Sequence, residues 1–138
     1  MKIKAEGFAP LLQVFDMPRS VAFYRDVLGF EVVTTSPPRG PDDFDWGLLR
    51  LDSVEVMLNT AYEMDSRPPH PEASRVAAHD DTALYIGCRD VDGAYAYLRG
   101  RGLAIEAPSV APYGMKQLYL KDPDGYVICL QWPADGAP

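Results

Sequence analysis

The 138 residues are 47% hydrophobic, so the chain can bury one sizeable core but has little room for two separate domains. Twenty acidic residues against 13 basic ones give a net charge of −7, which would repel nucleic-acid phosphates and anionic membrane surfaces. No apolar run reaches 18 residues, and the first 17 residues do not have the pattern of a signal peptide. We therefore expect a single cytoplasmic domain, 1–138, that contacts neither nucleic acid nor membrane.

The first half of the chain predicts a strand, a helix and three further strands. "LLQV" is the first strand, and Asp16 is placed to cap the helix that follows, with Pro18 in its first turn. Gly29 suits the end of that helix, and alternating segments at 31–35, 47–51 and 54–59 predict the remaining strands. The apolar stripe of the helix consists of Val21, Tyr24, Val27 and Leu28.

The second half repeats this plan after a polar, proline-rich stretch. Residues 63–81 are aperiodic, which predicts a mobile linker between modules at about 8–62 and 82–133, and both histidines, His70 and His79, fall within it. By the repeat, Asp90 starts the second helix, whose stripe is Ala94, Tyr97 and Leu98. Strands are predicted at 103–106, 116–120 and 127–131, with a "DPDG" turn at 122–125.

The cysteine content indicates no disulfide scaffold and no structural zinc site. Only Cys88 and Cys129 are present, and neither a CxxC nor a His-Cys spacing occurs. Reduced thiols are therefore expected at both positions.

Each half thus has the order β-α-β-β-β, with "FDMPRSVAFYRDVLGFEVV" in the first and "LYLKDPDGYVICLQWP" in the second. This pattern resembles the vicinal oxygen chelate superfamily of glyoxalases, bleomycin-resistance proteins and extradiol dioxygenases, over about residues 8–133. The resemblance implies an α+β fold in which two β-α-β-β-β repeats form paired curved mixed sheets around a cup, with the helices on the outer face. It also implies a homodimer.

The resemblance locates four positions at which the metal enzymes of the superfamily hold a divalent ion. The first-strand position lies seven residues before the helix-starting Asp, which is Ala9 here and, by the repeat, Ala83. Cys129 in "DPDGYVICL" stands where the metal enzymes carry Glu, and Met57 holds the matching place in the first half. Because two alanines offer no donor atom, we expect no metal, no cofactor and no catalytic residue at these positions.

Strand alternation predicts which side chains line the cup. Polar groups, among them Asn59 and Gln117, share the inward faces with the four family positions, and the repeat matches Trp46 with Tyr113 near the rim. Aromatic rings there could sandwich a planar group. The predicted ligand-binding residues are Gln13, Trp46, Glu55, Met57, Tyr85, Tyr113, Tyr119, Cys129 and Gln131.

Two functions of different classes fit these residues. The favoured one is a metal-free binding protein, resembling the bleomycin-resistance branch, that sequesters a polar-aromatic ligand; the net charge favours a cationic one. An antibiotic-resistance role follows by analogy with that branch. The alternative is a glyoxalase-like or dioxygenase-like enzyme with a relocated metal, for which Glu55 is the suggestive ligand, or with a reaction that depends on Cys129.

Overall fold

The computed structural model describes residues 1–63 and 66–136. Positions 64 and 65 of the predicted linker, and positions 137 and 138 of the predicted domain, lie outside the described residues. The chain divides into two units, Met1–Pro69 and His70–Pro138, each with its own sheet.

In the first unit the described residues include a four-stranded mixed sheet and a helical segment at 17–27. Its strands are β1 (Leu11–Val14), β2 (Glu31–Thr35), β3 (Trp46–Leu51) and β4 (Val54–Thr60), in the order β1-β4-β3-β2. β1 runs parallel to β4, and the other neighbours are antiparallel. Helix α1 (Met17–Val21) starts where Asp16 Oδ1 accepts a hydrogen bond from the Arg19 amide at 3.3 Å, as the sequence predicts.

The second part of this helical segment differs from the prediction of one continuous α-helix. Residues Ala22–Val27 form π-helix, in which the Leu28 amide donates to the Phe23 carbonyl at 3.1 Å. Gly29, with φ of +94°, ends the segment as expected, because this left-handed conformation costs glycine little.

The second unit repeats the sheet and adds two helices. Its strands are β5 (Ala83–Gly87), β6 (Ser109–Val110), β7 (Met115–Lys121) and β8 (Val127–Pro133), in the order β5-β8-β7-β6, with β5 parallel to β8. Helix α3 (Val91–Gly100) is capped by Asp90, whose Oδ1 accepts from the Gly93 amide at 2.8 Å. The α+β class with two four-stranded mixed sheets is thereby confirmed.

Part of the predicted linker, 63–81, forms regular structure, although its sequence has no helical periodicity. Helix α2 (Ala73–Ala78) continues into a 3-10 turn at His79–Asp81. The His79 ring stacks on Tyr126 with centroids 4.0 Å apart, and its Nδ1 lies 2.6 Å from the Asp124 carbonyl. These contacts with the "DPDG" turn are tertiary, which is why local periodicity did not reveal the helix.

The strand predicted at 103–106 lies elsewhere. β6 is Ser109–Val110, and the chain from 103 to 107 forms no strand. β6 and β7 are joined by a short turn, so pairing starts beside that turn with Val110 opposite Lys116 and continues with Ser109 opposite Gln117.

One face of each sheet is buried against helix. In the first unit Leu12, Val14, Leu49, Val56 and Leu58 are at most 2% exposed. In the second unit α3 packs on β7 and β8, with Val91, Leu98, Leu118, Leu120 and Ile128 buried. Tyr97, predicted in the stripe of α3, is 51% exposed, because the buried side of the helix passes through Val91 and Leu98 at i and i+7, and Tyr97 lies beside it.

Candidate functional site

The other face of the first sheet carries predicted ligand-binding residues. We call this the open face of the first sheet, and define it by the ladder pairs Gln13 with Asn59, Trp46 with Asn59, and Leu48 with Met57. Alternation along the strands puts these side chains opposite the buried Leu12, Val56 and Leu58. Its members are Leu11, Gln13, Trp46, Leu48, Arg50, Glu55, Met57 and Asn59.

The polar groups of this face already bond to one another. Asn59 Nδ2 donates to Gln13 Oε1 at 3.3 Å. Arg50 Nη2 lies 2.8 Å from Glu55 Oε2, and the two residues face each other across β3 and β4. Glu55 is therefore charge-compensated by Arg50, and a metal or a cationic ligand would have to compete with that guanidinium.

The open face of the second sheet is richer in aromatic rings. Tyr85 on β5 and Tyr119 on β7 both lie opposite Cys129 on β8, and Gln117 lies opposite Gln131. The face is defined by the residues Ala83, Tyr85, Gly87, Gln117, Tyr119, Lys121, Val127, Cys129 and Gln131.

Tyr85 and Tyr119 close over the thiol that lies between them. Their hydroxyl oxygens are 3.1 Å apart and their rings meet edge to face, with centroids 6.4 Å apart. Cys129 consequently has 0% exposure although its parity directs it to the open face. The sequence predicted the correct face, but Cys129 does not form an accessible floor in this structure.

Burial also sets the chemistry of these groups. Desolvation raises the pKa of the Cys129 thiol above its usual range, since the charged thiolate is disfavoured away from water. The hydrogen bond with Tyr85 raises the pKa of Tyr119. Cys129 is therefore a covered, neutral thiol at physiological pH, which is unsuited to nucleophilic catalysis.

Gln117 connects most of the polar atoms of the second open face. Its Nε2 donates to Tyr113 Oη at 2.8 Å and to Gln131 Oε1 at 2.9 Å, while its Oε1 accepts from the Tyr119 hydroxyl at 3.2 Å. Gln117 is only 6% exposed. We call these four residues and Tyr85 the glutamine network.

The internal repeat misaligned Trp46 with Tyr113. Trp46 lies opposite Asn59, and the corresponding pair of the second sheet is Gln117 with Gln131, so Trp46 corresponds to Gln117. Tyr113 lies in the turn before β7 and is 69% exposed. It nevertheless joins the predicted group through its bond to Gln117.

A groove of about 610 Å³ lies beside the glutamine network in the second unit. Residues 103–107 form one wall, and β6 to β8 contribute Ser109, Gln117, Tyr119, Lys121 and Val127. The sequence prediction missed this wall because the alternation of Leu103 and Ile105 is typical of a strand.

The residues present do not fit a divalent metal at the family positions. Ala9 and Ala83 offer no ligand atom, Met57 offers a soft thioether and Cys129 a buried thiol. Within residues 1–63 and 66–136, no three His, Cys, Asp or Glu side chains are grouped so that they could hold a metal ion.

No helix that these residues form is long and apolar enough to span a membrane.

Comparison with known families identifies the chain. Residues 8–130 match the model of the Glyoxalase/Bleomycin resistance protein/Dioxygenase superfamily. The chain belongs to this superfamily. Comparison with the curated proteins gave no match.

Solved structures of other proteins share this fold. TnmS3, an antibiotic binding protein from Streptomyces sp. CB03234, is 24% identical with a TM-score of 0.70, over 96% of this chain and 99% of its own. A glyoxalase/bleomycin resistance protein from the same strain is 25% identical with a TM-score of 0.65, over 92% and 100% of the two chains. A glyoxalase/bleomycin resistance protein/dioxygenase from Nocardioides is 18% identical with a TM-score of 0.72, over 99% and 89%.

Proposed function

We propose that this superfamily member is a metal-free binding protein that sequesters a planar, polar-aromatic small molecule. The observation that carries the proposal is the second open face, where Tyr119 and Gln117 line a groove of about 610 Å³ and bond to the other members of the glutamine network. Small-molecule sites combine apolar and aromatic walls with a few placed polar groups, and this face has both. The antibiotic-binding description of TnmS3 supports the same class of activity.

Each open face has its own proposed contacts. On the second face the rings of Tyr85, Tyr113 and Tyr119 offer stacking surface, and Gln131 offers a polar contact. On the first face Gln13, Trp46 and Met57 are the proposed contacts.

A cationic ligand is favoured only by the overall charge of −7. Glu55, a proposed ligand contact, forms an ion pair with Arg50 at 2.8 Å, so its charge is compensated. Charge selectivity should therefore be modest and should weaken with added salt.

The enzymatic alternative is disfavoured by the chemistry of its two candidate groups. Cys129 is covered and its pKa is raised, so little thiolate forms. Glu55 forms an ion pair, and neither histidine lies on a strand: His79 stacks on Tyr126 and His70 is exposed.

Equilibrium dialysis with planar tricyclic aromatics tests the proposal. Tyr113→Ala and Tyr85→Ala, both on the second open face, should each weaken binding about fivefold, because an aromatic contact contributes about 1 kcal/mol. Tyr97→Ala is the matched control, because Tyr97 is also half exposed but lies on α3. Absence of binding by every planar probe would overturn the proposal.

Elemental analysis of protein purified without chelator addresses the metal directly. We expect less than stoichiometric zinc, nickel, manganese and iron. About one ion per chain that is lost in Glu55→Gln would establish a relocated metal and favour the enzyme.

A further inference from the structure

The glutamine network has a hydrogen-bond polarity that decides which atoms it presents to a ligand. Gln117 Nε2 carries two protons and donates one hydrogen bond to Tyr113 Oη and one to Gln131 Oε1. Its Oε1 accepts the single proton of the Tyr119 hydroxyl. Both ends of this buried amide are therefore committed to protein groups.

The hydrogen bonds made by Gln117 determine which donor groups of Tyr113 and Gln131 remain available to a ligand. Tyr113 accepts through its oxygen, so its own proton points away from Gln117, and Gln131 accepts through Oε1, so both protons of its Nε2 remain. Neither Gln131 Nε2 nor the Tyr113 hydroxyl proton has a partner among the residues that the structure describes. Two donors thus stand next to each other on the second open face.

The Tyr85 end of the network accepts hydrogen bonds rather than donating them. Because Tyr119 has given its proton to Gln117, the 3.1 Å contact with Tyr85 requires Tyr85 to donate and Tyr119 to accept. The half-exposed Tyr85 oxygen then presents lone pairs. The network is a donor at its Gln131 and Tyr113 end and an acceptor at its Tyr85 end.

From this arrangement we infer that Gln117 is a positioning residue that selects planar ligands carrying an acceptor oxygen, such as an aromatic ketone, at the Gln131 and Tyr113 end. This inference rests on the proposed binding function and specifies its ligand class. A ligand with only an N–H group at that edge would leave two donors unpaired and would place a third donor against them, which costs affinity.

Two tricyclic probes of similar size and opposite polarity test the inference. 9-Fluorenone has one carbonyl and can only accept, whereas carbazole has one N–H and can only donate. By equilibrium dialysis at pH 8, the wild-type protein should bind fluorenone about tenfold more tightly than carbazole. This is the affinity difference expected when these donors form hydrogen bonds with one ligand and have no acceptor in the other.

Substitution of Gln117 should reverse or erase this preference. In Gln117→Glu the carboxylate only accepts, so Gln131 must turn its amide inward and Tyr113 must donate inward, which leaves acceptors on the face. Carbazole should then bind more tightly than fluorenone. Gln117→Leu should leave the two affinities within about twofold, since neither orientation of Gln131 is then enforced.

Two further variants show whether a change in ligand preference comes from hydrogen-bond polarity, from the added charge or from unfolding of Gln117→Glu. Ser53→Glu, in the exposed turn between β3 and β4, adds the same charge and should keep the wild-type ratio. Tyr113→Phe keeps the ring at a 69% exposed position and should weaken fluorenone about fivefold while changing carbazole little. This variant and the wild-type ratio carry the test if circular dichroism shows that Gln117→Glu is unfolded.

The outcomes distinguish this inference from the function on which it rests. Equal wild-type affinities, or a preference for carbazole, would overturn the inference while the binding function stands. Failure of both probes to bind would overturn the binding function for planar aromatics, and the inference with it.

Discussion

Removing the Tyr85 side chain should expose Cys129 to thiol reagents. The hydroxyl bond to Tyr119 at 3.1 Å contributes about 1 kcal/mol, and the edge-to-face ring contact at 6.4 Å contributes about another. If Cys129 reacts only when this pair separates, an opening cost of about 2 kcal/mol keeps the open form near one part in thirty. Tyr85→Ala should therefore react about thirtyfold faster than its parent.

The assay is modification by Ellman's reagent at pH 8 in a Cys88→Ser background, so that Cys129 is the only thiol. Tyr85→Phe keeps the ring and loses the hydroxyl bond, so its rate should lie between parent and Tyr85→Ala. Tyr97→Ala removes an equally exposed tyrosine from α3 and should react like the parent. A parent that reacts as fast as Tyr85→Ala would refute the covering of Cys129 by the tyrosine pair, and would restore the thiol as a candidate nucleophile.

Three further predictions concern pH, packing and assembly. The pKa of the Cys129 thiol is raised in the folded protein, so this thiol ionises in the unfolded chain at a lower pH than in the folded one. The free energy of unfolding should therefore be unaffected at neutral pH and fall above about pH 8.5, and it should fall less steeply in Cys129→Ala, as measured by urea titrations at pH 7 to 10. Leu58→Ala should cost about 2–5 kcal/mol of unfolding free energy because Leu58 is fully buried, whereas Leu11→Ala, with Leu11 48% exposed on the open face, should cost under about 1 kcal/mol. The edges of both open sheets need cover, so sedimentation at micromolar concentration should give a homodimer; a species of only 15.3 kDa would refute this.

Most of the regular elements, and the faces of the longer strands, could be read from the sequence. Asp16 and Asp90 cap the two helices as predicted, because an aspartate side chain can satisfy the free amides of a first helical turn wherever it precedes one. The alternation along β4 and β8 put Leu58 and Ile128 in the core and Met57 and Cys129 on the open faces, since side chains on a strand point to opposite sides in turn. Both are local properties of the chain.

Contacts between distant positions were decided only by the tertiary structure. Helix α2 lies in a polar stretch without helical periodicity and is held by the stacking of His79 on Tyr126, which lies 47 residues further along the chain. The closure of Tyr85 and Tyr119 over Cys129 and the ion pair of Glu55 with Arg50 depend on rotamers that strand parity does not specify. The alternation of a strand determines which side of the sheet a residue faces. The partners of that residue depend on strand register and side-chain packing. Register and packing place Gln117, rather than Cys129, at the centre of the candidate site.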